Sequence, residues 1–264
     1  MAKRGVRAKS IETKQSTSSL VEIEMNVPDY TLSSYSCFIY AAPKIGKTTL
    51  ACSWPKPIVL ATETRGIKAL KVPHIKIRNW QQVINAIKLI AKEPKNKYKT
   101  AIVDTSDLFY QYCFDYTCAK FGFDHPSDQG WGKGWERIAD EIRTVTLALF
   151  DLELTPIFTS HAITQDVKAD WETYSRTTPT LAGSGRKIIL PLVDIIFYMY
   201  AKENKDGITS RYITTKAVQS FEAGDRSGCL TDVTIKIPAS RKHAGYEILN
   251  KKFEENANVK EKED

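Results

Sequence analysis

Eight residues, Ala41-Ala42-Pro43-Lys44-Ile45-Gly46-Lys47-Thr48, constrain this chain more than any other part of it. They follow the strand-like Tyr35-Ser36-Cys37-Phe38-Ile39-Tyr40 and open a helix at Thr48-Thr49-Leu50-Ala51. Strand, glycine-bearing loop and helix in that order form the context of a phosphate-binding loop. The loop amides and the helix start converge on one anion. Gly46 lets the backbone approach phosphates without a Cβ. Lys47 is placed to reach the β- and γ-phosphates, and the Thr48 hydroxyl to ligate Mg²⁺. Ala41 stands where the pattern usually has glycine, although the residue there is still small. The nucleotide-contacting set is therefore Ala41, Ala42, Pro43, Lys44, Ile45, Gly46, Lys47, Thr48 and Thr49.

Apolar runs alternate with helical patterns along the rest of the middle of the chain, which predicts an α/β fold with a mainly parallel sheet. The strands are expected at Ser36–Tyr40, Ile58–Ala61, Ile75–Ile77, Thr100–Asp104, Thr155–Ser160, Asp194–Tyr200 and Tyr212–Lys216. Helices are expected at Lys47–Ser53, Trp80–Ala91, Asp107–Lys120 and Trp135–Leu152. In the last of these, Ile138, Ile142, Val145, Leu149 and Leu152 recur at three- and four-residue steps and mark one buried face. The region Tyr212–Ile237 reads as a small antiparallel β extension of the sheet. The expected organisation is a basic, flexible tail over 1–25, one domain over 26–250 and a flexible charged tail over 251–264.

Three further strand ends carry chemistry. Thr100-Ala101-Ile102-Val103-Asp104 is an apolar run ending in a carboxylate, which suits Asp104 to the magnesium shell beside Thr48. Asp107 is read as the cap of the helix that follows. Glu63, just past Pro57-Ile58-Val59-Leu60-Ala61-Thr62, would point into the same crevice and orient a water. Thr155-Pro156-Ile157-Phe158-Thr159-Ser160 ends at His161, so Ser160 or His161 would sense the γ-phosphate. The polar stretch Gln165–Lys187 reads as a long loop with a Gly183-Ser184-Gly185 hinge. It interleaves Lys168, Arg176, Arg186 and Lys187 with Trp171 and Tyr174, a mixture suited to single-stranded nucleic acid. Phe123–Trp135 is a second candidate for that surface.

The chain has 264 residues, of which 42% are hydrophobic and 26% charged. At that length folding buries roughly 70–75% of the unfolded surface, so a core needs no disulfides or metal staples. The apolar run Ile188–Tyr200 is broken by Pro191 and Asp194 and is too short to span a bilayer. Met1 opens a basic segment with no apolar stretch, which reads as no secretory signal. Five cysteines without a CxxC pair indicate neither a zinc site nor a disulfide framework, and the expected compartment is the cytoplasm. A net charge of +7 points weakly to an anionic partner.

Ala41–Thr48, Thr62-Glu63, Ile102-Val103-Asp104, Ser160-His161 and Gly224-Asp225-Arg226-Ser227-Gly228 together resemble the RecA-like ATPases. The similarity is greatest to the short phage-encoded versions that serve recombination and single-strand annealing, and it covers roughly residues 35–230. The resemblance implies a RecA-like P-loop NTPase fold, ATP and Mg²⁺ as cofactors, and DNA-stimulated hydrolysis in a phage-infected bacterial cytoplasm. It implies Glu63 as catalytic base, a DNA-binding loop over Ala162–Lys187, and a homo-oligomer, ring or filament. In that oligomer Arg226, or failing it Lys216, would act in trans on the neighbour's nucleotide. Two other classes fit the same motifs: a P-loop nucleotide or metabolite kinase with Arg176–Arg186 as lid, and a nucleotide-gated DNA-binding module with negligible turnover.

Overall fold

The computed structural model describes Met25 and residues 27–169, 172–238 and 244–260. Its frame is a sheet with strand order β10-β8-β7-β1-β5-β4-β2-β3. These strands are β1 (Cys37–Ala41), β2 (Pro57–Ala61), β3 (His74–Lys76), β4 (Thr100–Asp104), β5 (Thr155–Ala169), β7 (Ile195–Glu203), β8 (Thr209–Thr214) and β10 (Thr234–Ile237). Two more pair off this path: β6 (Glu172–Pro179) on β5 and β9 (Gly224–Asp225) on β7. The six strands from β7 to β3 run parallel, whereas β8 pairs antiparallel with β7, and β10 antiparallel with β8. The α/β class, the mainly parallel sheet and the antiparallel C-terminal extension are thus all present.

Alternation along each strand divides the core into two layers. Phe38, Tyr40, Leu60, Val103 and Phe158 face α2 (Trp80–Ile90), α3 (Ser106–Phe121), α4 (Lys133–Phe150) and α5 (Gly183–Leu192). Cys37, Ile39, Val59, Ile102 and Ile157 face the other way, towards α1 (Lys47–Ala51) and α6 (Ala244–Lys260). Both faces being covered explains why the parallel strands read as continuous apolar runs. In α4 the periodic Ile138, Ile142, Val145 and Leu149 are buried as expected, while Leu152 lies past the helix end and still packs against the same layer. Helix α3 ends at Gly122, whose left-handed φ of 67° lets its amide return to the last carbonyls.

Three expectations are corrected here. Residues 165–187 are not a loop: β5 runs on past the main sheet and pairs with β6 in an antiparallel ribbon from Ala162↔Pro179 to Ala169↔Glu172. Gly183-Ser184-Gly185 is not a hinge but the first turn of α5. A Cβ at Gly183 or Gly185 would come within 2.7 Å of the Tyr110 hydroxyl or ring, so glycine there permits close packing. The charged tail predicted from Lys251 is, as far as Lys260, the continuation of α6, which buries Leu249, Phe253 and Ala257. Phe253 is fully buried, and truncating such a side chain to alanine costs about 3–5 kcal/mol, so this helix belongs to the domain. The remaining tail residues, 1–24 and 261–264, lie outside the described residues.

Candidate nucleotide site

The loop from Ala42 to Gly46 leaves the C-terminal end of β1, and α1 opens at Lys47. Gly46 adopts φ 109°, a left-handed conformation that L side chains rarely take, which is why glycine is required there. Lys47 is only 6% exposed and donates to the carbonyls of Ala41 at 3.1 Å and Ala42 at 3.3 Å. Burial pushes its ammonium below the usual lysine range, against the opposing pull of Asp104, Asp107 and Glu63. Its third contact is Nδ1 of His161, 3.3 Å away. An ammonium can only donate, so in this contact Nδ1 is the acceptor. The other ring nitrogen, Nε2, faces Glu63 Oε1 at 3.6 Å.

The register of the parallel strands brings the second half together. Asp104 ends β4 beside Ala61 of β2, and Glu63 follows two residues later with its amide on the Asp104 carbonyl. The Asp104 carboxylate accepts from Thr48 Oγ1 at 3.1 Å and from Thr159 Oγ1 at 2.6 Å. Burial raises its pKa above the usual aspartate value, and the two threonine hydroxyls only partly offset that. A buried carboxylate next to a threonine hydroxyl is a hard oxygen donor set of the kind Mg²⁺ takes. Gly66 packs over this pair, its Cβ position 3.1 Å from both Thr48 Oγ1 and Asp104 Oδ2. The cleft holds about 490 Å³ and is lined by Lys47, Thr48, Glu63, Arg65, Asp104 and His161, among others. Its donors and acceptors fit a magnesium–nucleotide complex: loop amides and Lys47 for phosphate oxygens, Thr48 and Asp104 for the metal shell.

Not every sequence candidate converges there. Pro43, Lys44 and Thr49 line the cleft with Gly46, whereas Ala41 is wholly buried at the end of β1. Of the pair Ser160 and His161, only His161 reaches the cleft. Ser160 is fully buried and donates to Asp107 Oδ1 at 3.0 Å. Asp107 is not the helix cap; Thr105 holds that position. Instead Asp107 accepts from Ser160, from the Thr180 hydroxyl and from the His161 amide at 3.3 Å. It therefore ties the end of the main-sheet part of β5 to the return of the β5–β6 ribbon. No local pattern announced that role, since an Asp in a first helical turn ordinarily reads as a cap.

The proposed DNA contacts are scattered. Lys168, Tyr174 and Arg176 lie on the ribbon, but strand alternation puts Tyr174 and Arg176 on one face and Lys168 on the other. The Arg176 Nε is buried without a hydrogen-bond partner among the described residues. Arg186 is taken up by an ion pair with Glu222, while Lys187 is exposed on α5. Trp171 lies outside the described residues. In the second candidate stretch Trp131 is 98% exposed, whereas His125 and Trp135 pack ring against ring. Arg226 stands at the opposite end of the sheet from the loop. Its amide bonds to the Asp194 carbonyl and its guanidinium to Asp194 and the Pro191 carbonyl. Ile195, the residue after Asp194, pairs with Cys37, four residues before Ala41. At strand spacing that sets Arg226 roughly four residues, about 13 Å, down the sheet from its own phosphate loop. Lys216, the second candidate, is exposed just past β8.

Among the described residues, no helix is long and apolar enough to cross a membrane, and no cluster of His, Cys, Asp or Glu could hold a metal by itself. A 169-residue stretch, 61% of this chain, is 27% identical to the SPbeta prophage-derived uncharacterized protein YorG of Bacillus subtilis (strain 168). The chain spans about half (49%) of the length of that relative. Among solved structures, the KaiC-like protein PH0186 from Pyrococcus horikoshii OT3 aligns with a TM-score of 0.46 and 10% identity, over 80% of this chain and 88% of that one. Residues 33–227, most of the chain, match the AAA domain family AAA_24, and with its phosphate loop, Asp104 and Glu63 in one cleft the chain belongs to that family of P-loop ATPase domains.

Proposed function

We propose that this protein hydrolyses ATP with Mg²⁺ and couples that cycle to single-stranded DNA, in phage recombination, repair or replication through annealing or strand exchange. The observation that carries this reading is the continuity of β5. His161 touches Lys47 and faces Glu63 in the cleft, and the next residue, Ala162, begins the ribbon. Whatever turns the His161 ring is therefore felt at the root of a projecting arm.

Lys47 and the loop amides would hold the phosphate chain, and Thr48 with Asp104 would hold the magnesium shell. Mg²⁺ held by those two residues would supply charge neutralisation to the phosphates. Glu63 would orient the attacking water, with the Nε2 proton of His161 steadying its carboxylate. Arg226, distant from its own cleft, would meet nucleotide only in a neighbouring copy, which favours a ring or filament. The prophage description of one relative supports a phage setting.

Phosphate release with Mg²⁺·ATP, with and without single-stranded DNA, tests the proposal in wild type and Lys47→Ala. DNA-stimulated turnover lost in the variant is expected. Turnover indifferent to DNA, with a phosphorylated small-molecule product, would point to a kinase, and no turnover to a gated binding module.

A further inference from the structure

We infer that Arg211 is a second phosphate-binding cation of this site, contributed in cis from β8 and directed at the α- and β-phosphates of the bound nucleotide. The inference rests on the nucleotide reading above and adds a residue that no motif in the sequence marks.

The register fixes where Arg211 stands. Met199 of β7 pairs with Ala41, the last residue of β1, and Ala201 pairs with Arg211. Arg211 is thus two residues, about 7 Å, beyond the end of β1, at the height of the phosphate loop. Alternation puts it on the same side of β8 as Ile213, which is buried in the layer shared with α1 and α6. The guanidinium reaches the loop itself: Nη1 is 3.2 Å from the position a Cβ would occupy on Gly46.

Arg143, Arg186 and Arg226 each form an ion pair with a carboxylate, but Arg211 forms no ion pair or side-chain hydrogen bond among the described residues. A half-buried guanidinium left this way has lost water without gaining an anion, and a phosphate chain in the loop supplies one. The strand order gives the side from which it approaches. Lys47 leans to the β5 flank, where His161, Asp104 and Glu63 mark the hydrolytic end. Arg211 approaches from the β7–β8 flank, on the far side of β1. The loop lies between Lys47 on one flank and Arg211 on the other, and the phosphates remote from Glu63 fall to Arg211.

The test is equilibrium binding of mant-labelled ADP and ATP to wild type, Arg211→Gln and Arg211→Lys. Loss of one charge-assisted, forked contact predicts about tenfold or greater weakening of both nucleotides in Arg211→Gln, by a similar factor. Arg211→Lys recovers part of it, because a lysine keeps the charge but not the forked geometry. Nucleotide-free thermal melts of the variants should match wild type, which separates lost binding from lost folding. Affinities within about twofold of wild type would overturn the inference, as would weakening of ATP alone, which would assign Arg211 to the γ-phosphate. A wild type that binds neither nucleotide would instead overturn the nucleotide reading itself.

Discussion

Nζ of Lys47 and Nδ1 of His161 stand 3.3 Å apart, joining the phosphate loop after β1 to the strand that carries the ribbon. Nε2 of the same ring faces Glu63 Oε1 at 3.6 Å, so the ring stands between the phosphate-loop lysine and Glu63. A phosphate that draws the lysine away would free the ring. His161 thus stands between Glu63, the proposed base, and the root of the ribbon.

Glu63→Gln keeps the size and the Thr105 contact of Glu63 but cannot accept a proton from water. It is expected to bind ATP with near wild-type affinity and to lower kcat about 10²-fold or more. Single-turnover hydrolysis beside a binding titration checks this; an unchanged kcat assigns the base elsewhere.

Asp107→Asn tests the anchor of the ribbon. Its carboxylate accepts two hydroxyls and one amide, and an amide in its place turns a donor towards at least one of them. Leaving that buried group unmatched should cost about 1–3 kcal/mol. Urea unfolding gives the magnitude, and hydrogen exchange should show the loss of protection concentrated in residues 160–180.

Asp104 gives a pH dependence with a definite sign. Burial raises its pKa in the fold, so the folded state holds the proton more tightly than the unfolded chain. The nucleotide-free protein therefore loses stability as pH rises through the window just above 3.8. Relative to Asp104→Asn, wild type should fall in stability across that window, and Mg²⁺·ATP should remove the deficit at neutral pH. Paired urea melts from pH 3.8 up to neutral pH measure the difference; a wild type that gains on the variant as pH rises contradicts the assignment.

What could be read beforehand follows from which forces leave a linear trace. The parallel strands bury both faces and so appear as apolar runs, which located β1, β2, β4 and the residues ending them. The ribbon β5–β6 buries little, carries Thr, Ser, Gln and Arg, and has no Asn-Gly turn, so its pattern resembled a loop. Helix α6 did leave a signal: Leu249, Phe253 and Ala257 recur every four residues, masked by the lysines and glutamates between them. Asp107 and Arg211 could not be found that way: the groups bonded to Asp107 lie more than fifty residues along the chain, and Arg211 meets the Gly46 loop only through the sheet register.

The central claim is that nucleotide state reaches DNA through His161. Single-stranded DNA affinity, measured by fluorescence anisotropy with ADP and with a non-hydrolysable ATP analogue, tests it most directly. Tighter binding with the ATP analogue in wild type, with the difference abolished in His161→Ala while nucleotide affinity persists, is the predicted result. Equal DNA affinity in the two nucleotide states of the wild type would contradict it.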